Sequence, residues 1–139
     1  MANRVDWNPL HSVGDATLDA QHQEILARCS ALGDCLAEPD TDAEADLRFD
    51  QAFEELMALA RAHFTAEETL LAAQGYAELD ALRNEIEEFD YLADEIVTTA
   101  NFDRQELQTF LCLWWAGHVA GTAAEHRACL TGSPSAESP

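Results

Sequence analysis

Positive charge is scarce in this chain. Its 139 residues carry 7 Lys+Arg against 27 Asp+Glu, a formal charge of −20. Nucleic acids and anionic membranes are bound through a positive footprint, so neither is an expected partner. Glycine and proline are few, 6 and 4, which excludes collagen-like and low-complexity classes. Aromatics make up only 8%, and β-branched residues are sparse. The opening MANRVDWNPL lacks an apolar h-region, so no secretory signal is expected. The longest weakly polar stretch, Leu111–Ala124, is too short to span a bilayer and carries His118. The four cysteines, Cys29, Cys35, Cys112 and Cys129, contain no CxxC pair. Reduced thiols and a cytoplasmic location are the expectation, and nothing resembles a zinc ribbon.

What the chain does have is apolar residues, 47% of the total, enough for a core and too many for global disorder. Ala, Leu, Glu and Gln are abundant, and these favour helix. Four segments show apolar residues at spacings of three and four. The first, Asp15 to Leu36, buries Leu18, His22, Ile25, Leu26, Cys29, Leu32 and Leu36, with Asp15 or Thr17 as cap. Glu38–Asp42 reads as a loop, with Pro39 as the stop and Thr41 or Asp42 capping the next helix. The second helix, Asp42 to Ala73, carries Phe53, Leu56, Ala60, His63, Glu67 and Leu70, and Gly75 ends it. The third, Glu78 to Ala100, has the regular seam Leu79, Leu82, Ile86, Phe89, Ala93, Ile96. The fourth, Asp103 to Leu130, carries Leu107, Leu111, Trp114, His118, Thr122, Glu125 and Cys129.

Short loops between long helices place neighbours antiparallel. The expected fold is all-α: a single up-down-up-down four-helix bundle over residues 1–130. An irregular arm, 1–14, tucks Trp7 onto it, and 131–139 form a frayed, disordered tail.

Polar residues on these stripes are informative, because burying them is costly unless they are paired. His22 lies on the first stripe, His63 and Glu67 one turn apart on the second, and His118 on the fourth. A lone inward histidine is usually a satisfied core residue. Three on three helices, beside a carboxylate, form the pattern by which bundles hold metals. Other candidates are weaker. His11 lies in the arm and His126 is off the His118 stripe, so both are expected to face solvent. Cys29 reads as a small core residue, and a Cys29–Cys112 disulfide has little support, since Cys112 faces a third of a turn from His118. Glu125 is about 10 Å from His118 at helical rise, too far to share an ion. Trp114 and Trp115 read as packing, and the pairs Glu54-Glu55 and Glu87-Glu88 as solvated faces.

Four stretches resemble the bacterial hemerythrin family: Trp7 to His22 (WNPLHSVGDATLDAQH), His63 to Leu71 (HFTAEETLL), Gly75 to Phe89 (GYAELDALRNEIEEF) and Trp115 to Ala123 (WAGHVAGTA). Trp7, Val13, Gly14, Asp19, Gln21 and His22 stand where the first motif has them. The resemblance covers nearly the whole chain. It implies a four-helix bundle with a non-haem di-iron centre that binds oxygen reversibly through five His, a Glu and an Asp. Carried over by motif, the ligands are His22, His63, the bridging Glu67 and His118. The other three positions hold Leu82 and Ile86, where the third motif has two histidines, and Ala123, where the fourth has a bridging carboxylate. The losses fall on one iron, which keeps only His118.

The ligand set therefore implies a degenerate centre with a single ion. Two His and a carboxylate suit iron(II); three His and a Glu suit zinc or manganese equally. The expected function is binding or sensing of a metal, or of a small diatomic ligand at it, without catalysis. Two alternatives stand beside it. One is a metal-free bundle kept as an interaction or regulatory module. The other is an oxygen-binding di-iron protein with substituted ligands. The sequence is silent on a protein partner.

Overall fold

The computed structural model describes residues 5–36 and 43–131. They form one 3-10 turn, Pro9–His11, and four helices: α1 Ala16–Leu36, α2 Ala43–Ala73, α3 Leu79–Thr98 and α4 Arg104–Thr131. No strand occurs among the described residues. The expected Glu38–Asp42 loop and the tail beyond Thr131 lie outside them.

Local chemistry sets the helix ends. Asp15 Oδ1 accepts from the Leu18 amide at 2.9 Å, and Asp103 Oδ1 from the Gln105 amide at 2.9 Å, satisfying amides that the first turn leaves unpaired. Gly75, at φ +70°, closes α2. There the Tyr76 amide donates to Leu71 O and the Gly75 amide to Ala72 O, at 3.0 and 3.1 Å, which is the Schellman pattern.

Cross-helix contacts give the direction of each rod. The start of α1 meets the end of α2 (His22 with His63), and the start of α3 meets the end of α2 (Arg83 with Glu68). Phe89 stacks on Phe110, and Cys29 lies against Leu111, so α4 runs antiparallel to both α3 and α1. Across the diagonal, α2 and α4 start at the same end, where Arg104 forks onto Asp50 with two hydrogen bonds of 2.9 Å. The result is the expected up-down-up-down bundle.

The lower half of the interior is hydrocarbon: Ile25, Leu32, Phe49, Leu56, Ala60, Leu107 and Leu111. Above it lies an aromatic layer in which Phe64 stacks on Trp115, ring centroids 5.2 Å apart. Phe89 meets both of these rings edge-on. Burying each large ring stabilises the bundle by about 1.5–3 kcal/mol.

The arm is tied down at several points. Asp19 accepts from Ser12 Oγ at 2.5 Å and from the Val13 amide at 2.9 Å, and Ser30 Oγ bridges the Val5 backbone. Gly14 sits at φ +80°, and a Cβ there would collide with the Thr131 methyl. Trp7 packs against the core with its ring 6.4 Å from that of His22.

The inner face of α4 differs from the expected stripe. The buried residues are Leu107, Gln108, Leu111, Cys112, Trp115, His118, Val119, Ala123 and His126. Trp114, Thr122 and Cys129 are half-buried, and Glu125 is exposed. Trp115, not Trp114, fills the centre, because the arc that α4 buries is wider than one stripe. No disulfide joins the four cysteines, and Cys29 is a buried core residue.

Candidate metal centre

At the upper end of the bundle, donor atoms of His22, His63, Glu67 and His118 all lie within 4.8 Å of one another, and all four residues are buried. The bundle geometry explains the meeting. His63 and Glu67 are one turn apart on α2, while α1 and α4 each present one imidazole at the same height. His22 Nε2, His63 Nε2 and His118 Nε2 stand 3.7, 3.4 and 3.3 Å from a Glu67 carboxylate oxygen.

His126 corrects the sequence reading. Its stripe position places it in solvent, but it is 1% exposed, and its Nδ1 lies 3.6 Å from Glu67 Oε2. His11 is half-buried in the arm and takes no part in the cluster.

These donors have no hydrogen-bond partners. Both ring nitrogens of His22, His63 Nε2, His118 Nε2, His126 Nδ1 and both Glu67 oxygens are buried and unpaired, as is the neighbouring Trp115 Nε1. Leaving a buried polar atom unpaired costs about 1–3 kcal/mol, so such a concentration calls for a common partner. The distances point the same way. Hydrogen bonds between imidazole and carboxylate are about 2.7–2.9 Å long, shorter than any of these. A tetrahedral ion with ligands at about 2.0–2.1 Å has donor–donor edges of about 3.3–3.4 Å.

The outer nitrogens are occupied. His63 Nδ1 lies 2.9 Å from Gln21 Oε1, and His118 Nδ1 lies 2.8 Å from Glu85 Oε1. Each oxygen accepts the Nδ1 proton and turns the inner Nε2 toward Glu67, where an ion could take it once any Nε2 proton is displaced, which is how metal-ligating histidines are held. Neither Gln21 nor Glu85 stood out in the sequence as a site residue, though a carboxylate or amide behind a ligating imidazole is the expected arrangement.

Electrostatics follow the geometry. Burial alone would push the Glu67 carboxyl up, but His118, His126, His22 and His63 hold it well below the usual carboxylate range. Burial lowers His63, keeping it neutral. Burial also acts to lower His118, but Glu67 and Glu85 outweigh it and push the group up to about 9.

The remaining family positions are hydrocarbon. Leu82 and Ala123 are buried, and Ile86 is half-buried against the core. Leu82 lines a cavity of about 230 Å³ between α3 and α4, with Tyr76, Glu85, Thr122, Glu125 and His126. A helical bundle whose core gathers histidines around one buried carboxylate belongs to the class of bundle proteins that bind cations. Residues 13–126 match the family model "Hemerythrin HHE cation binding domain", and the chain belongs to that hemerythrin family. No curated protein and no solved structure matches it significantly. Among the described residues, no helix is long and apolar enough to cross a membrane.

Proposed function

We propose that this protein binds one divalent cation through His22, His63, Glu67 and His118, and serves as a non-catalytic, cytoplasmic binding or sensing module. The observation that carries this reading is the convergence of buried, unpartnered donor atoms on Glu67, at separations suited to a shared ion. The residues fit one ion. They do not fit a second, because Leu82, Ile86 and Ala123 offer it no donor. Iron(II) is the favoured occupant on family grounds, and zinc or manganese suits the same donors. A bound iron(II) would supply a coordination position for a small diatomic ligand, and the cavity beside Leu82 is roomy enough for one. Gln21 and Glu85 hold the imidazoles in the ligating tautomer, Trp7 shields His22, and the aromatic layer keeps water from below.

The test is metal analysis of protein purified without a metal-binding tag and reconstituted anaerobically with iron(II). One equivalent per chain supports the reading. Two equivalents would restore a di-iron centre. None would leave Glu67 and His118 as a buried ion pair inside a metal-free module.

A further inference from the structure

We infer that His126 is a fifth donor to the same ion, through Nδ1, so that the centre is four imidazoles and one carboxylate. The inference rests on the single-ion reading above and adds a ligand at a position where the family pattern supplies none. His126 is 1% exposed, its Nδ1 has no hydrogen-bond partner, and that atom lies 3.6 Å from Glu67 Oε2. The separation matches those of His63 and His22 from the same oxygen, 3.4 and 3.7 Å. Three imidazoles thus approach Oε2, while His118 approaches Oε1 at 3.3 Å; the mutual 4.8 Å spacing is met by His22, His63, Glu67 and His118, so His126 closes onto the ion from just outside that group.

The local sequence explains how a residue two turns past His118 reaches the centre. Helical side chains lean toward the N-terminus, so the His126 ring tilts back along α4 toward His118. The residue one turn before it on that face is Ala123, whose methyl leaves room for the ring. Tyr76 fixes the ring's attitude, packing edge-on against it with centroids 5.1 Å apart and planes at 88°. Tyr76 is itself held by its hydroxyl, which donates to Glu125 Oε2 at 3.2 Å. An imidazole that merely filled space would not need its polar atom turned onto a buried carboxylate.

The experiment is cobalt(II) titration of the full chain, followed by its d–d absorption, for the wild type, His126→Ala, His126→Gln and His11→Ala. Each variant's fold is checked first by circular dichroism in chelator. Wild type binds one cobalt with the weak bands of a five-coordinate ion. Loss of the His126 donor gives the stronger bands of a four-coordinate ion, and affinity falls by about tenfold or more. His126→Gln behaves like His126→Ala, because an amide can hydrogen-bond to Glu67 but is a poor ligand. His11→Ala matches the wild type. Unchanged bands and affinity in His126→Ala would overturn the inference while leaving the single-ion site standing. So would His126→Gln matching the wild type, which would make His126 a positioning residue for Glu67. Absence of cobalt binding by the wild type would instead overturn the reading on which the inference rests.

Discussion

Replacing Glu67 with Gln keeps the side-chain volume and removes the charge on which His22, His63, His118 and His126 converge. Glu67 is fully buried, so solvent cannot compensate. A ligand that binds the native state alone stabilises it by RT ln(1 + [L]/Kd), about 2.7 kcal/mol at a hundredfold excess over Kd. For 139 residues, an unfolding entropy of about 2.1 cal/mol/K per residue totals about 0.29 kcal/mol/K. The melting temperature of the wild type should therefore rise by about 9 °C when iron(II), zinc or manganese is added at that excess. In Glu67→Gln the rise should fall below about 2 °C, because the anionic ligand is gone. Melts followed by circular dichroism, each referred to the same protein in chelator, subtract the structural effect of the substitution. An equal rise in both proteins would refute the reasoning, since the ion would then be bound elsewhere. So would a wild type that none of the three metals stabilises.

Metal affinity should increase with pH. His118 is held protonated up to about 9 by Glu67 and Glu85 despite its burial, and an ion must displace that proton. Affinity therefore climbs about tenfold per pH unit below that value, and one proton is released per ion near neutrality. Titration calorimetry in buffers of differing ionisation enthalpy reads the proton, and a flat profile would contradict the assignment. Glu67 and His63, both shifted downward, do not compete with the ion near neutrality. Introducing Leu82→His, Ile86→His and Ala123→Asp together should raise the metal content from one to two equivalents. It should also destabilise the metal-free protein, because apolar burial is lost, worth about 1.5–3 kcal/mol at the buried Leu82 and less at the half-buried Ile86 and the small Ala123. Metal analysis and a chelator melt check both, and a content still at one would show that the missing ligands are not what limits the count.

The helices were legible because buried residues recur at three and four along α1 and α2, and along α3 as the regular seam through Leu82, Phe89 and Ala93. His22, His63, Glu67 and His118 stood out because a polar residue on such a stripe breaks its period. His126 did not stand out, because its eight-residue offset from His118 turns the helix about 80° past two full turns. A single stripe drawn through Trp114, Thr122 and Glu125 excludes it, whereas the arc buried on α4 includes Trp115, Ala123 and His126. Glu85 was hidden, and the role of the motif residue Gln21 with it, for another reason. Each is polar on a polar flank, and its role depends on how far one helix slides along the next, which periodicity within a helix does not encode.

The hydrogen bond from His118 to Glu85 has a bearing on oxidation state. An ion of charge +2 held between the buried Glu67 and the partly exposed Glu85 would be balanced in charge once the histidines are neutral. Removing one electron from that ion would leave an uncompensated positive charge among Leu82, Trp115 and Phe64, at an effective cost of several kcal/mol. The surrounding protein would thus favour the reduced form of a redox-active metal bound there, and substituting Glu85 with Gln would accentuate that preference.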